Sequence, residues 1–219
     1  MLESVLRPGM TMIDAGANEG AYTIYAAARI GPAGRVMAIE PSPRELERLR
    51  ANLELNNAAN VTVVPAALAE RPGQVELQIA EDAHAGQNTF GSFVYPGVGS
   101  SGQVGVTATT IDMLVDEHGL DRVDVIKLDL EGAEERALTG ARQTLRRFRP
   151  LLVLEAAEAS LARQGGSAAA VNALLAEDGY RILQFDPSTG RLVPQTGSSA
   201  RSDNLVAVHR DAEMQLPED

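Results

Sequence analysis

The stretch MTMIDAGANEG, residues 10–20, decides the fold. Met10, Met12 and Ile13 make a short apolar strand that runs out at Asp14, and Gly16 and Gly20 then turn the chain into a helical pattern. Tyr22, Ile24, Tyr25, Ala28 and Ile30 are expected on the buried face of that helix. Strand, glycine turn and helix together form the opening unit of a parallel sheet with crossover helices. Gly31 to Gly34 break the helix, Arg35 to Ile39 read as the second strand, and Glu40-Pro41 close it. Ser42, Pro43 and Glu45 make a helix start: the serine can cap, the proline suits the first turn, and the glutamate completes a capping box. Leu46, Leu49 and Leu53 supply its inward stripe, and Val61 to Val64 form a third strand ahead of Pro65-Ala66-Ala67.

Outward from this opening the alternation continues. Gln74 to Ile79 read as a strand, and the glycine-rich, polar stretch from Ala80 to Gly105, with Phe90, Phe93 and Tyr95 in it, reads as a long loop. A helix over Thr110–His118, a strand over Val123–Leu128, helices from Ala133 to Leu138 and on to Phe148, and a strand over Leu151–Leu154 follow. A helix over Ser167–Asp178 and strands over Arg181–Phe185 and Leu205–Val208 complete the pattern. The expected architecture is an α/β, doubly wound, mostly parallel sheet between helical layers, one domain over residues 1–210, with a disordered acidic tail over 211–219.

Composition narrows the chemistry. The chain has 219 residues, 44% hydrophobic and 22% charged, enough for an ordinary globular core. It has no cysteine, which removes disulfides, thiolate metal sites and cysteine nucleophiles. Nineteen Lys and Arg against 30 Asp and Glu give a net charge of −11, which repels nucleic acid and anionic lipid. The densest basic run, Arg146, Arg147 and Arg149, has no interleaved aromatics and reads as a solvated helix end. No cationic-then-apolar leader opens the sequence and no window approaches the ~18 apolar residues of a membrane span, so a cytoplasmic address is expected.

The turn Asp14-Ala-Gly16-Ala17-Asn18-Glu-Gly20 lets backbone approach a ligand at a helix start, which suits a nucleotide-type cofactor. It lacks the dinucleotide spacing G-x-G-x-x-G, since Asn18 stands where the second glycine belongs. A carboxylate at Asp14 opposes a phosphate but favours a ligand that carries an ammonium and a sulfonium, as S-adenosylmethionine does. Glu40 lies at the next strand's tip, about 20 residues beyond the turn, where an acid accepts both ribose hydroxyl protons of an adenosine.

A second cluster lies in VIKLDLEGAE, residues 125–134. Strand alternation puts Lys127 and Asp129 on one face, and a charge in an apolar strand is retained when paired, so the chain's only lysine is expected to pair with Asp129. Glu131 follows, and Glu155 at the tip of LLVLE, residues 151–155, brings another carboxylate to the same sheet edge.

These segments, IDAGANEGAYT (13–23), IEPSP (39–43), TTIDMLVDEHGLDRVDVIKLDLEGAE (109–134) and LLVLE, resemble the FkbM-type S-adenosylmethionine-dependent methyltransferases over Gly9 to Arg210. The resemblance implies a Rossmann-like class I three-layer sandwich with a seven-stranded sheet whose last strand is antiparallel. It implies a cofactor held by Asp14, Gly16, Asn18, Gly20 and Glu40, with Ala17, Pro41 and Asp129 beside them and Ala66 and Ala67 flanking the adenine. It implies methylation of an oxygen, often a hydroxyl on a sugar or natural-product scaffold, hence a small-molecule partner. Relatives carry more chain before the first strand, so this chain reads as a possible module of a larger polypeptide, with substrate enclosure falling to Ala80–Gly105.

Methyl transfer is an in-line displacement in which the protein aligns the acceptor and removes its proton. Asp129 is the expected base, helped by Glu131 and Glu155. Three carboxylates could alternatively hold Mg²⁺ or Ca²⁺. Of the histidines, His118 and His209 sit at element ends, and only His84 is a candidate second base. A cofactor-binding module without transfer activity and a nicotinamide-dependent oxidoreductase are the competing classes.

Overall fold

The computed structural model describes residues 2–81, 88–89, 99–186, 191–194 and 204–211. His84, Phe90, Phe93 and Tyr95, and the tail from 212 to 219, lie outside the described residues. One helical turn, α1 (Leu2–Val5), precedes β1 (Thr11–Ala15), which is buried along its whole length. The glycine turn then delivers α2 (Ala21–Ile30). This helix buries Thr23, Ala26, Ala27 and Ile30, whereas Tyr22 is 52% and Tyr25 38% exposed. The expected inward face was therefore rotated: small Ala26 and Ala27 let the helix axis approach the sheet, which turns the phenol-bearing residues out to the solvent edge.

β2 (Arg35–Ile39), α3 (Pro43–Leu55) and β3 (Val61–Val64) complete the first half of the sheet. The capping box does not form at α3. The Ser42 hydroxyl donates to the Glu45 carboxylate instead of accepting from the helix, and the Ser42 N–H donates to Glu40 at 2.9 Å. Acids two residues before and three residues after Ser42 take its two donors, so its hydroxyl does not cap the helix.

Between the halves a separate three-stranded sheet rises, ordered β4 (Ala67–Leu68), β6 (Ser100–Thr109) and β5 (Gly73–Ala80). Part of the expected Ala80–Gly105 loop is thus strand: Ser100 to Gly105 pair antiparallel with β5, and Leu77, Val106 and Ala108 form a small core of their own. The second half runs α4 (Ile111–Glu117), β7 (Val125–Leu128), α5 (Glu134–Thr139), α6 (Arg142–Phe148) and β8 (Leu151–Glu155). A helix the sequence does not announce, α7 (Glu158–Arg163), precedes α8 (Ala168–Glu177). The chain closes with β9 (Tyr180–Asp186), β10 (Arg191–Pro194) and β11 (Asn204–His209).

The main sheet is ordered β10-β9-β11-β8-β7-β1-β2-β3, with β11 antiparallel to both its neighbours. The seven expected strands and their antiparallel last member are present, and β10 adds an eighth at the edge by pairing with β9. Period-two alternation divides this sheet cleanly. Ile13, Ile39, Ile126, Leu128, Leu152 and Leu154 face the larger core. On the other face, register aligns Ala38, Asp14, Lys127, Val153, Val206 and Leu183 in one row across six strands. Two charges in an otherwise apolar row therefore face each other across adjacent strands.

Candidate active site

The carboxyl ends of β1, β2 and β7 are laced together by backbone. The N–H groups of Gly16 and Ala17 both donate to the Ile39 carbonyl at 3.0 Å, and the Asp129 N–H donates to the Ala15 carbonyl at 3.1 Å. Gly16 has φ +77°, and a Cβ on it would lie 1.9 Å from the Asp129 carbonyl oxygen. The close approach this glycine permits is thus between two strand tips, which brings the turn and Asp129 to one place.

Asn18, in the left-handed region at φ 50°, donates its N–H to Glu40 Oε2 at 2.9 Å, while Ser42 N–H donates to Oε1 at 2.9 Å. Each carboxylate oxygen of Glu40 is therefore fixed in place by one backbone group and retains a further lone pair. Burial raises the Glu40 carboxyl, the two N–H groups pull it back, and it settles at about 7. Beside it Glu45 is fully buried; burial pushes it up, but the Ser42 hydroxyl and the Arg44 guanidinium hold it below its ordinary value.

A cavity of about 240 Å³ opens over these tips. One wall is apolar, from Ile39, Pro41, Ala66, Ala67, Leu68 and Leu77. The other is polar, from Gly16, Asn18, Glu40, Glu45, Asp129 and Glu131, and Asn88 reaches it from the smaller sheet's side. Of the residues expected around a cofactor, Gly16, Asn18, Glu40, Pro41, Ala66, Ala67 and Asp129 line this cavity. Asp14, Ala17 and Gly20 stand behind the lining. Asp14 is fully buried, accepts from the Thr23 hydroxyl at 2.6 Å and pairs with Lys127 at 3.2 Å.

Lys127 does meet Asp129, at 3.5 Å, as expected, and its ammonium also donates to the Gly16 carbonyl at 3.2 Å and lies 5.0 Å from the Tyr22 ring centre. Burial pulls its pKa down, but the charges of Asp14 and Asp129 outweigh that and hold it above the ordinary lysine value. Glu131 stands at φ 51°, and its carboxyl is raised to about 7 by burial and then by Asp129, Glu155 and Glu134. Glu134, almost fully buried, accepts from the Leu130 N–H at 2.8 Å and the Gly132 N–H at 3.3 Å, so it holds the turn between β7 and α5. The sequence reading missed Glu134 and placed Glu45 only in a helix start; each stands five residues after a strand-end acid, Asp129 and Glu40.

A second, larger cavity of about 710 Å³ lies on the other side of Asp129, against the Lys127 face of the sheet. Glu155, Tyr22 and Tyr25 line it together with Lys127 and Asp129, so Asp129 belongs to both cavities and Glu131 only to the first. Among the described residues no group of three or more His, Asp or Glu side chains is arranged to hold a metal ion. Among them, too, no helix is long and apolar enough to cross a membrane.

A mostly parallel sheet with β11 and the edge strand β10 reversed, and a half-apolar, half-acidic cavity at the carboxyl edge where the glycine turn meets an acid on the second strand, define a Rossmann-like class I methyltransferase fold. The chain belongs to the FkbM methyltransferase family: residues 14–182 match the Methyltransferase FkbM domain. It is 29% identical over 209 residues to the AMB antimetabolite synthetase AmbE of Pseudomonas aeruginosa, covering 81% of this chain and 10% of that one. It is 24% identical over 153 residues to the 2-O-methyltransferase NoeI of Sinorhizobium fredii, covering 65% of this chain and 62% of NoeI. The crystal structure of methyltransferase FkbM from Methylobacillus flagellatus KT superposes with a TM-score of 0.55 at 20% identity, over 94% of this chain and 49% of that one. The chain therefore spans only part of the length of these relatives.

The methyl donor that goes with this family, S-adenosylmethionine, fits the first cavity. An apolar wall of Ala66, Ala67 and Leu77, retained lone pairs on Glu40 and carboxylates at Asp129 and Glu131 are the kinds of group that an adenine, ribose hydroxyls and a cationic end would require.

Proposed function

We propose that the chain is an S-adenosylmethionine-dependent O-methyltransferase that acts on a hydroxyl of a small sugar or natural-product molecule. The observation that carries this reading is Asp129, which lines the donor cavity and the larger cavity beyond it and pairs with one buried lysine. Bound S-adenosylmethionine supplies an electrophilic methyl on an excellent leaving group. The chain's own residues then have two tasks, alignment and proton removal. The Asp129 carboxylate accepts the hydroxyl proton, Lys127 fixes where that carboxylate points, and Glu155 orients the acceptor from the next strand tip. Glu131, on the donor side, faces the cationic end of the cofactor. Glu40, with Asn18 and Ser42 holding it, anchors the ribose, and Ala66 and Ala67 flank the adenine. The net charge of −11 supports a small-molecule acceptor over nucleic acid.

Calorimetric titration with S-adenosylhomocysteine and with NAD, followed by transfer of labelled methyl to a panel of hydroxylated small molecules, tests the reading. Binding of the first nucleoside only, with label in an acid-stable ether, is the expected result. Binding without transfer to any acceptor would make the chain a cofactor-binding module, and binding of NAD would make it an oxidoreductase.

A further inference from the structure

The larger cavity has a composition that selects its occupant. Its floor is the apolar end of the sheet, Val153, Leu154, Leu205 and Val206, and its wall is the first turn of α2. Among the described residues four large hydrophobic side chains are substantially exposed, and two of them, Tyr22 and Tyr25, sit one helical turn apart on this wall. Tyr22, with the Lys127 ammonium 5.0 Å from its ring centre, and Tyr25 leave much of their rings exposed in a cavity beside the Asp129 carboxylate, a shelf for a flat or ring-shaped apolar body.

The charges point the same way. Glu3, Asp129 and Glu155 bring three carboxylates to the cavity, and Lys127 brings the one ammonium among its lining residues. That ammonium is already shared between Asp14 and Asp129. Among the described lining residues an anion entering here meets three carboxylates and one ammonium that is already engaged.

We propose that this cavity is the acceptor site, and that it admits hydroxyl acceptors with an apolar or aromatic body that are neutral or cationic while rejecting anionic ones. The assignment rests on the methyl-transfer reading above and adds the acceptor's chemical class. Asp129 is continuous with both cavities, so a hydroxyl held here lies beside the group that takes its proton. The aromatics described beside this cavity come from α2, while Phe90, Phe93 and Tyr95 of the Ala80–Gly105 stretch lie outside the described residues.

The test titrates the full chain, saturated with S-adenosylhomocysteine, with three p-nitrophenyl β-glycosides that differ at one group: the glucoside, the 2-amino-2-deoxyglucoside and the glucuronide. The first two should bind, and the glucuronide should bind about tenfold more weakly, the effect of one poorly screened like charge. Tyr22→Ala should weaken the first two about fivefold, as loss of a stacking face does, while S-adenosylhomocysteine affinity stays within about twofold. Glu155→Gln should narrow the gap between glucuronide and glucoside. Equal binding of all three, no binding of any, or indifference to Tyr22→Ala overturns the assignment. If S-adenosylhomocysteine itself does not bind, the donor reading falls and this one with it; cofactor binding without glycoside binding overturns the acceptor site alone.

Discussion

Asp129 occupies its position because β7 ends one residue earlier, at Leu128, and strand alternation carries it onto the face of Lys127. Asp129→Asn keeps the shape and removes the basic oxygen. Turnover should fall about a hundredfold or more, the usual scale of general-base loss, while S-adenosylhomocysteine affinity changes less than about threefold. Equal losses in both would make Asp129 a cofactor ligand only. Glu40 carries a second prediction. Its carboxyl titrates near 7, and only the ionised form offers both oxygens to ribose hydroxyls, so cofactor affinity should rise as pH goes from 6 to 8. Glu40→Gln should lessen that rise in a calorimetric pH series and leave the part contributed by Glu131, which lines the same cavity and is also raised to about 7; an unchanged slope would remove Glu40 from the ribose site. Both residues could be found in the sequence because each follows an apolar strand, where an acid has little structural use. Asp14 could be found for the same reason, but its partner could not. Lys127 lies 113 positions away in number, and the two meet only because β1 and β7 are neighbours with Asp14 and Lys127 in register.

At the level of elements, the smaller sheet is tied over the donor cavity at a few points. The Arg44 guanidinium donates to the Ala80 carbonyl at 2.9 Å, and the Gln164 amide donates to the Thr89 hydroxyl at 2.6 Å, with Thr89 itself buried and bridged to Gln78 in β5. Leu77 and Asn88 of this region line the cavity. Gln164→Ala should leave the Thr89 hydroxyl without its donor, a local loss of about 1 kcal/mol. Amides of Ile79 and Ala80 should then exchange faster and bound S-adenosylhomocysteine should leave faster, while β1 amides keep their protection. Unaltered exchange in β5 would show that the pin carries nothing. The strand-turn-helix units of the main sheet were readable because each has a period and a breaker of its own. β10 and α7 were not: RLVP of β10 ends in a proline, which strand interiors avoid, and EASLAR of α7 carries a single leucine and no apolar repeat. The strand character of Ser100–Gly105 was hidden by its glycines and serines, and it is supplied by pairing with β5.

For the whole molecule, the gathering of acids at one edge has a thermodynamic consequence. Glu131 titrates near its ordinary value in the unfolded chain but holds its proton up to about 7 in the fold. Its raised value therefore favours the fold fully at low pH, and that contribution is lost as pH climbs from about 4.5 to about 7, at most about 3 kcal/mol. Glu131→Gln should raise the thermal midpoint above pH 7 and leave it unchanged or lower near pH 5. A uniform shift at both pH values would mean that packing, not charge, is responsible. Glu40 acts in the same window, so the variant should remove part of the pH dependence and leave the rest. Such a cost at one edge of an otherwise apolar fold is what a functional site imposes. The order of strands and helices, the glycine turn after the first strand and the strand-end acids were all written in near neighbours along the chain, where periodicity and turn chemistry act over a few residues. Which charges meet, that α2 turns its tyrosines outward, and that Asp129 joins two cavities depended on strand order and on how closely each helix approaches the sheet. Those are contacts between residues far apart in the chain, and no local pattern encodes them.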